Sequence, residues 1–243
     1  MPSTPTLFIS DLHLSPERPA PVELFQRFAK EVVPGCAALY ILGDFFEAWV
    51  GDDDLDSDFN ARMVARLREL NSQGVPVFFM PGNRDFIVGD AFAKAAGLDL
   101  LPDPTRIDLY SVPTLLAHGD AFCIDDPAYQ ALRRQVRDPG WQAMMLEKPL
   151  AERHALARML RERSEQAKAG KKPDIMDVNQ DEVARTVQTW GVARLIHGHT
   201  HRPARHMLDV AGQAVERWVL PDWYETGGYL RCDEEGCRSL DFF

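Results

Sequence analysis

The segment Ala38-Leu39-Tyr40-Ile41-Leu42-Gly43-Asp44 decides how this chain is read. Five apolar, β-forming residues run without a polar break and stop at a glycine and a carboxylate. A run this short, apolar throughout, predicts a strand covered on both faces. Four other segments repeat the pattern. Thr6-Leu7-Phe8-Ile9 leads to Asp11-Leu12-His13, and Val75-Pro76-Val77-Phe78-Phe79-Met80 to Gly82-Asn83-Arg84-Asp85. Thr114-Leu115-Leu116-Ala117 leads to His118-Gly119-Asp120, and Ala193-Arg194-Leu195-Ile196 to His197-Gly198-His199-Thr200-His201.

Helical patterns separate the strands. Val22, Phe25, Phe28, Ala29 and Val32 share one face, as do Phe59, Met63, Leu67 and Leu70. Asn179 is placed to cap a helix running to about Trp190, with Glu182 at its third position. Strands alternating with helices predict a layered α/β domain around a buried sheet. Ligands of such sheets bind beyond the carboxyl ends of the strands. All five polar motifs lie there, so residues far apart in the chain can meet at one site.

Residues 121 to 172 break the rhythm. Trp141, Met144, Met145, Leu156, Met159 and Leu160 recur at helical spacing, with Arg and Lys between them. We read residues 1–243 as one domain carrying a helical lid inserted at about 121–172. The chain's net charge is -10, which argues against a nucleic-acid binder. Residues 133–172 nevertheless hold 11 Lys/Arg against 5 Asp/Glu, so one segment is suited to an anionic partner. No run reaches the roughly 18 apolar residues of a membrane span. The first residues lack a basic, apolar leader, which predicts a cytosolic chain with reduced cysteines. Cys232 and Cys237 flank Asp-Glu-Glu-Gly, which reads as a hairpin turn.

The motifs supply Asp11, His13, Asp44, Asn83, His118, His199 and His201: carboxylate, amide and imidazole donors. That set suits hard or borderline divalent cations and is large enough for two of them, with the Asp44 carboxylate shared. The chemistry it predicts is hydrolysis of a phosphate ester or anhydride by metal-activated water.

The order Asp-x-His, Gly-Asp, Gly-Asn-x-Asp, His-Gly-Asp and Gly-His-x-His resembles the calcineurin-like metallophosphoesterases. The resemblance implies a four-layer α/β/β/α sandwich with a dinuclear centre. It assigns Asp11, His13 and His201 to one ion and Asn83, His118 and His199 to the other, with Asp44 bridging. His197 precedes the pattern and is taken as a packed or supporting histidine.

The runs Tyr40 to Trp49, Gly82 to Phe86, Ile175 to Gln180 and Ile196 to Pro203 are similar to one branch, the UDP-2,3-diacylglucosamine diphosphatases of lipid A synthesis. That similarity implies a manganese enzyme that releases UMP and 2,3-diacylglucosamine 1-phosphate. It places Asp44, Asn83, Arg84, His118 and His199 in catalysis. Its substrate contacts carry over to Asn83, Arg84, Asp126, Ser164, Lys171 and His199, with Lys168 at a position usually occupied by Asn. Arg84 replaces the His of many relatives. A guanidinium cannot give up a proton, so it suits a leaving group that needs none. A diacylated UDP-sugar calls for an apolar cleft beside cations, and the lid supplies both. The same surface is predicted to rest on the anionic cytoplasmic face of the inner membrane, with Arg153, Arg158 and Arg161 facing lipid. No obligate protein partner is implied. The competing readings are a phosphoesterase acting on nucleotides or phosphoproteins and a catalytically silent binding module.

Overall fold

A computed structural model describes residues 4–169 and 177–243, apart from the side chains of residues 164–169. In chain order its elements are β1 (Thr6–Ile9), α1 (Pro19–Glu31), β2 (Ala38–Leu42), α2 (Asp58–Ser72), β3 (Val77–Met80), α3 (Asp90–Ala96), β4 (Asp99–Leu100), β5 (Thr105–Leu109) and β6 (Val112–Ala117). There follow α4 (Pro127–Val136), α5 (Pro139–Leu146), α6 (Leu150–Ala169), α7 (Gln180–Trp190), β7 (Arg194–His197), β8 (Ala204–Val210), β9 (Gln213–Val219), β10 (Gly227–Asp233) and β11 (Gly236–Phe242).

Two sheets form. One has the order β11-β10-β1-β2-β3-β4 and the other β5-β6-β7-β9-β8. The strands bearing motifs run parallel to their motif-bearing neighbours: β1 with β2, β2 with β3, and β6 with β7. Alternation along each strand sorts its side chains into layers. Leu7, Ile9, Leu39, Ile41 and Phe79 point to one side and pack with Phe25, Phe28, Met63, Leu67 and Phe92 of α1, α2 and α3. Phe8, Leu42 and Met80 point to the other side and meet Leu116, Ile196 and Trp218 of the second sheet. Leu115 and Leu195 face Val183 and Val187 of α7. Helices, sheet, sheet and helix give the expected four layers.

The strand at Val75 starts later than its apolar run suggests. Pro76 has no N–H for the ladder, and its carbonyl accepts instead from Leu39 at 2.9 Å, so pairing begins at Val77. Asn179 caps α7 as expected, accepting from the Glu182 amide at 3.0 Å. The C-terminal hairpin corrects the expectation of reduced thiols. Its register sets Cys232 directly opposite Cys237, and the two are joined in a disulfide. Cys36 and Cys123 are buried and outside any disulfide.

The segment between β6 and α7 holds α4, α5 and α6. Its apolar stripe is not core: Met144 is 51% exposed, and α5 buries none of its residues. Trp141, Met145, Leu156 and Leu160 instead line a cavity of about 670 Å³ that reaches His13, Asp44, Asn83 and His199.

Candidate metal centre

The loops after the five strands are stitched to one another. The Asp11 amide donates to the Gly43 carbonyl at 3.1 Å, and the His13 amide to the Asp44 carbonyl at 2.9 Å. The Gly198 amide donates to the His118 carbonyl at 2.9 Å, tying the second sheet's two loops together. Nδ1 of His118 reaches across to the Leu42 carbonyl at 2.9 Å, so this one imidazole links the two sheets. Gly43 must be glycine: its φ is +88°, and a Cβ would stand 2.5 Å from the His118 ring. At Gly198 a Cβ would collide with the Asp11 carboxylate and the Ser10 hydroxyl.

The backbone is strained where the donors sit. Asp11, His13, Asp44, His199 and His201 have φ of 56°, 50°, 53°, 70° and 53°, the left-handed region that side chains avoid. The other non-glycine residues described there, Tyr110, Ser111 and Ala211, lie in the tight turns of β-hairpins. Such strain costs roughly 1–3 kcal/mol per residue and persists where surrounding structure enforces it, typically at functional sites.

The side chains form two groups. In the first, Nε2 of His201 is 3.4 Å from Oδ1 of Asp11 and 3.4 Å from Nε2 of His13. In the second, Oδ1 of Asn83 is 2.9 Å from Nε2 of His118 and 2.8 Å from Nδ1 of His199. Asp44 lies between them, with Oδ2 3.8 Å from Nε2 of His13 and Oδ1 3.6 Å from Nε2 of His118. Asp11, His13 and His201 bring donor atoms within 4.8 Å of one another, as do Asp44, His118 and His199. All seven sequence candidates therefore come together, in two groups with Asp44 between them.

These residues fit a pair of cations. Two imidazole nitrogens point at each other in the first group, an arrangement that a shared cation would satisfy. Asp11 Oδ1 is buried without a hydrogen bond among the described residues. Burial opposes ionisation of Asp11, but His201, His118 and His13 hold its carboxyl far below the usual range. Burial likewise opposes charge on His118, yet Asp44, Asp120 and Asp11 push it up to about 9. Burial and the neighbouring His118 push His199 down to about 4.

The remaining candidates are placed less evenly. The Arg84 amide donates to Oδ1 of Asp44 at 2.8 Å, while its guanidinium lies 3.8 Å from Glu47 and lines the cavity. Asp126 also lines the cavity and caps α4, accepting from the Tyr129 amide at 3.1 Å. Ser164 and Lys168 lie on α6 with side chains outside the described residues, and Lys171 lies outside them altogether. His197 is packed, as expected. Its Nδ1 donates to the Gly198 carbonyl at 2.9 Å, and its Nε2 accepts from Arg217 at 3.2 Å. Burial and Arg217 push it down to about 3, keeping it neutral.

Sequence reasoning missed several supports. Asp85 accepts from the amides of Gly82, Asp44, Phe45 and Phe46 at 2.7–3.3 Å, holding two motif loops together. It was in view, four residues into a quoted motif, and an Asp closing a Gly-Asn turn is the available signal. The Tyr224 ring stacks on His13 at 5.3 Å, with the Arg18 guanidinium 4.5 Å from its centroid. Nothing in the motif order pointed to either residue. Arg153 requires correction, since it is buried and not free to face lipid, whereas the Arg161 side chain stays exposed. Arg153 is buried against Asp53 and the Val50 carbonyl, and Arg161 pairs with Glu47 at 3.1 Å.

A relative from Xanthomonas campestris pv. campestris (strain B100), named UDP-2,3-diacylglucosamine hydrolase, is 53% identical over 95% of this chain and 96% of its own length. One of the same name from Stenotrophomonas maltophilia is 51% identical over 97% of each chain. Among solved structures, an archaeal phosphodiesterase aligns over 98% of this chain with a TM-score of 0.49 and 12% identity. The family model described as calcineurin-like phosphoesterase matches residues 4–203, which take in every donor of the two groups. The chain therefore belongs to the calcineurin-like phosphoesterase family and is a hydrolase.

Proposed function

We propose that this chain hydrolyses the diphosphate of UDP-2,3-diacylglucosamine, releasing UMP and 2,3-diacylglucosamine 1-phosphate, a step of lipid A synthesis. The observation that carries the reading is the cavity of about 670 Å³, in which the two donor groups and an apolar wall from α5 and α6 share one space. A diacylated sugar diphosphate needs both. The names of the relatives that are more than half identical support the same substrate.

Asp11, His13 and His201 would hold one divalent ion and Asn83, His118 and His199 the other, with Asp44 shared; we assign Mn²⁺ to both. Such ions supply Lewis acidity at a phosphoryl oxygen and lower the pKa of water. The chain's own residues do the rest. Water attacks the phosphorus nearer uridine, and the bond from that phosphorus to the bridging oxygen breaks. The electron pair leaves with the sugar 1-phosphate. That monoester has a second pKa of ~6, so it departs as an anion without a proton donor. Arg84 fits this chemistry: it stabilises charge on the diphosphate and cannot act as an acid. Trp141, Met145, Leu156 and Leu160 receive the acyl chains and keep bulk water from the reacting phosphorus.

No described helix is long and apolar enough to cross a membrane. We propose instead that α4–α6 form a lid that rests on the anionic cytoplasmic surface of the inner membrane. Leu132, Met144, Leu146 and Met159 are exposed there beside the exposed Arg134, Arg158 and Arg163.

Turnover of UDP-2,3-diacylglucosamine in ¹⁸O-water tests the reaction. The label is expected in UMP, with activity abolished by chelation and restored by Mn²⁺. Label in the sugar phosphate, or turnover that survives exhaustive chelation, would overturn it.

A further inference from the structure

Glu47 is buried, and the reaction as described does not use it. Its two oxygens face opposite ways. Oε2 is 3.4 Å from Nδ1 of His13, the imidazole nitrogen that points away from the other donors. Oε1 is 3.1 Å from Nε of Arg161 on α6 and 3.8 Å from the Arg84 guanidinium. A histidine that ligates a metal through one nitrogen commonly donates its other N–H to a carboxylate, which fixes the tautomer and aims the ring. Glu47 stands where that carboxylate belongs.

Helix α6 is fastened to the loop that carries Glu47. Arg153 donates to the Val50 carbonyl at 2.7 Å and to Oδ1 of Asp53 at 2.8 Å. His154 pairs with Asp54 at 3.1 Å. Arg161 lies seven residues beyond His154, two turns along the same helix face, and brings its guanidinium to Glu47. The chain of contacts therefore runs from the α6 helix, through one carboxylate, to one donor of the Asp11/His13/His201 group.

We infer that Glu47 is a positioning residue that sets His13 for its ion and is itself set by Arg161, so that the seating of α6 governs how tightly that ion is held. The inference rests on the proposed assignment of His13 as a ligand. A glutamine at this position cannot serve both sides. Its amide can offer oxygen to His13 only by turning N–H groups toward two guanidinium ions, or the reverse.

Mn²⁺ titration of the metal-free protein, following the free-ion EPR signal, tests this without measuring turnover. Wild type is expected to take two ions per chain. Glu47→Gln should weaken one of the two by about 10–100-fold and leave the other within about twofold. Glu47→Asp keeps the charge but withdraws the carboxylate, and it should weaken the same ion by about tenfold. Arg161→Gln separates positioning from simple electrostatics: removing a nearby cation would tighten Mn²⁺, whereas releasing Glu47 should loosen it. Thermal unfolding of each metal-free variant reports separately on folding. Unchanged binding in Glu47→Asp, or tighter binding in Arg161→Gln, overturns the inference. A wild-type protein that takes up no ion overturns the ligand assignment itself.

Discussion

Four backbone amides end on the Asp85 carboxylate, which is fully buried. Burial and the nearby Asp44 charge push its pKa up to about 6, against the amides of Gly82 and Phe46, whose donated bonds favour the carboxylate. Removing the acceptor leaves buried donors unmade, at about 1–3 kcal/mol for the group. Asp85→Ala should therefore lose about 3 kcal/mol in urea unfolding and lower metal affinity as well. A change within about 0.5 kcal/mol would place Asp85 among ordinary surface residues. At this scale the sequence was legible wherever chemistry demands a residue type. Asp11, His13, Asp44, Asn83, His118, His199 and His201 were all in view because donors of this kind rarely follow five strands in order. Glu47 lay in the run Tyr40 to Trp49 without a role, and Tyr224 and Arg18 were not in view, since such a side chain acquires its meaning only from the one it meets.

The three helices between β6 and α7 show what periodicity can and cannot reveal. Their helical spacing was readable, but which face is covered was not. A stripe of Met, Leu and Trp looks the same whether it lines a core or a cavity. Here Trp141, Met145, Leu156 and Leu160 line the cavity, while Met144 and Met159 face outward. Charge was equally ambiguous: two of the basic residues expected at a membrane, Arg153 and Arg161, are paired within the protein. Exposed Arg134 and Arg158 remain on the outer face. Each cation near an anionic surface contributes about 1 kcal/mol. Arg134→Gln combined with Arg158→Gln should then lower partitioning onto anionic liposomes about 30-fold in flotation. Failure of wild type to float with such liposomes, or equal partitioning of the double variant, would contradict the membrane reading.

Across the whole molecule, the architecture follows from one arrangement used repeatedly. Each motif-bearing strand is covered on both faces, so each could be recognised as an unbroken apolar run, and each delivers its polar residues at its carboxyl end. The edge strands were harder to find. β8 and β11 expose much of their length, β4 has two residues, and none carries a motif. The Cys232–Cys237 bond was hidden for a related reason, because register and not composition sets those residues opposite each other. Donors spread from Asp11 to His201 gather in two groups with Asp44 between them, and we propose that each group holds a cation. Anomalous diffraction from crystals grown with Mn²⁺ tests it directly. Two peaks are expected, one among Asp11, His13 and His201, the other among Asn83, His118 and His199, and both touching Asp44. A single peak, or metal bound away from Asp44, would contradict it.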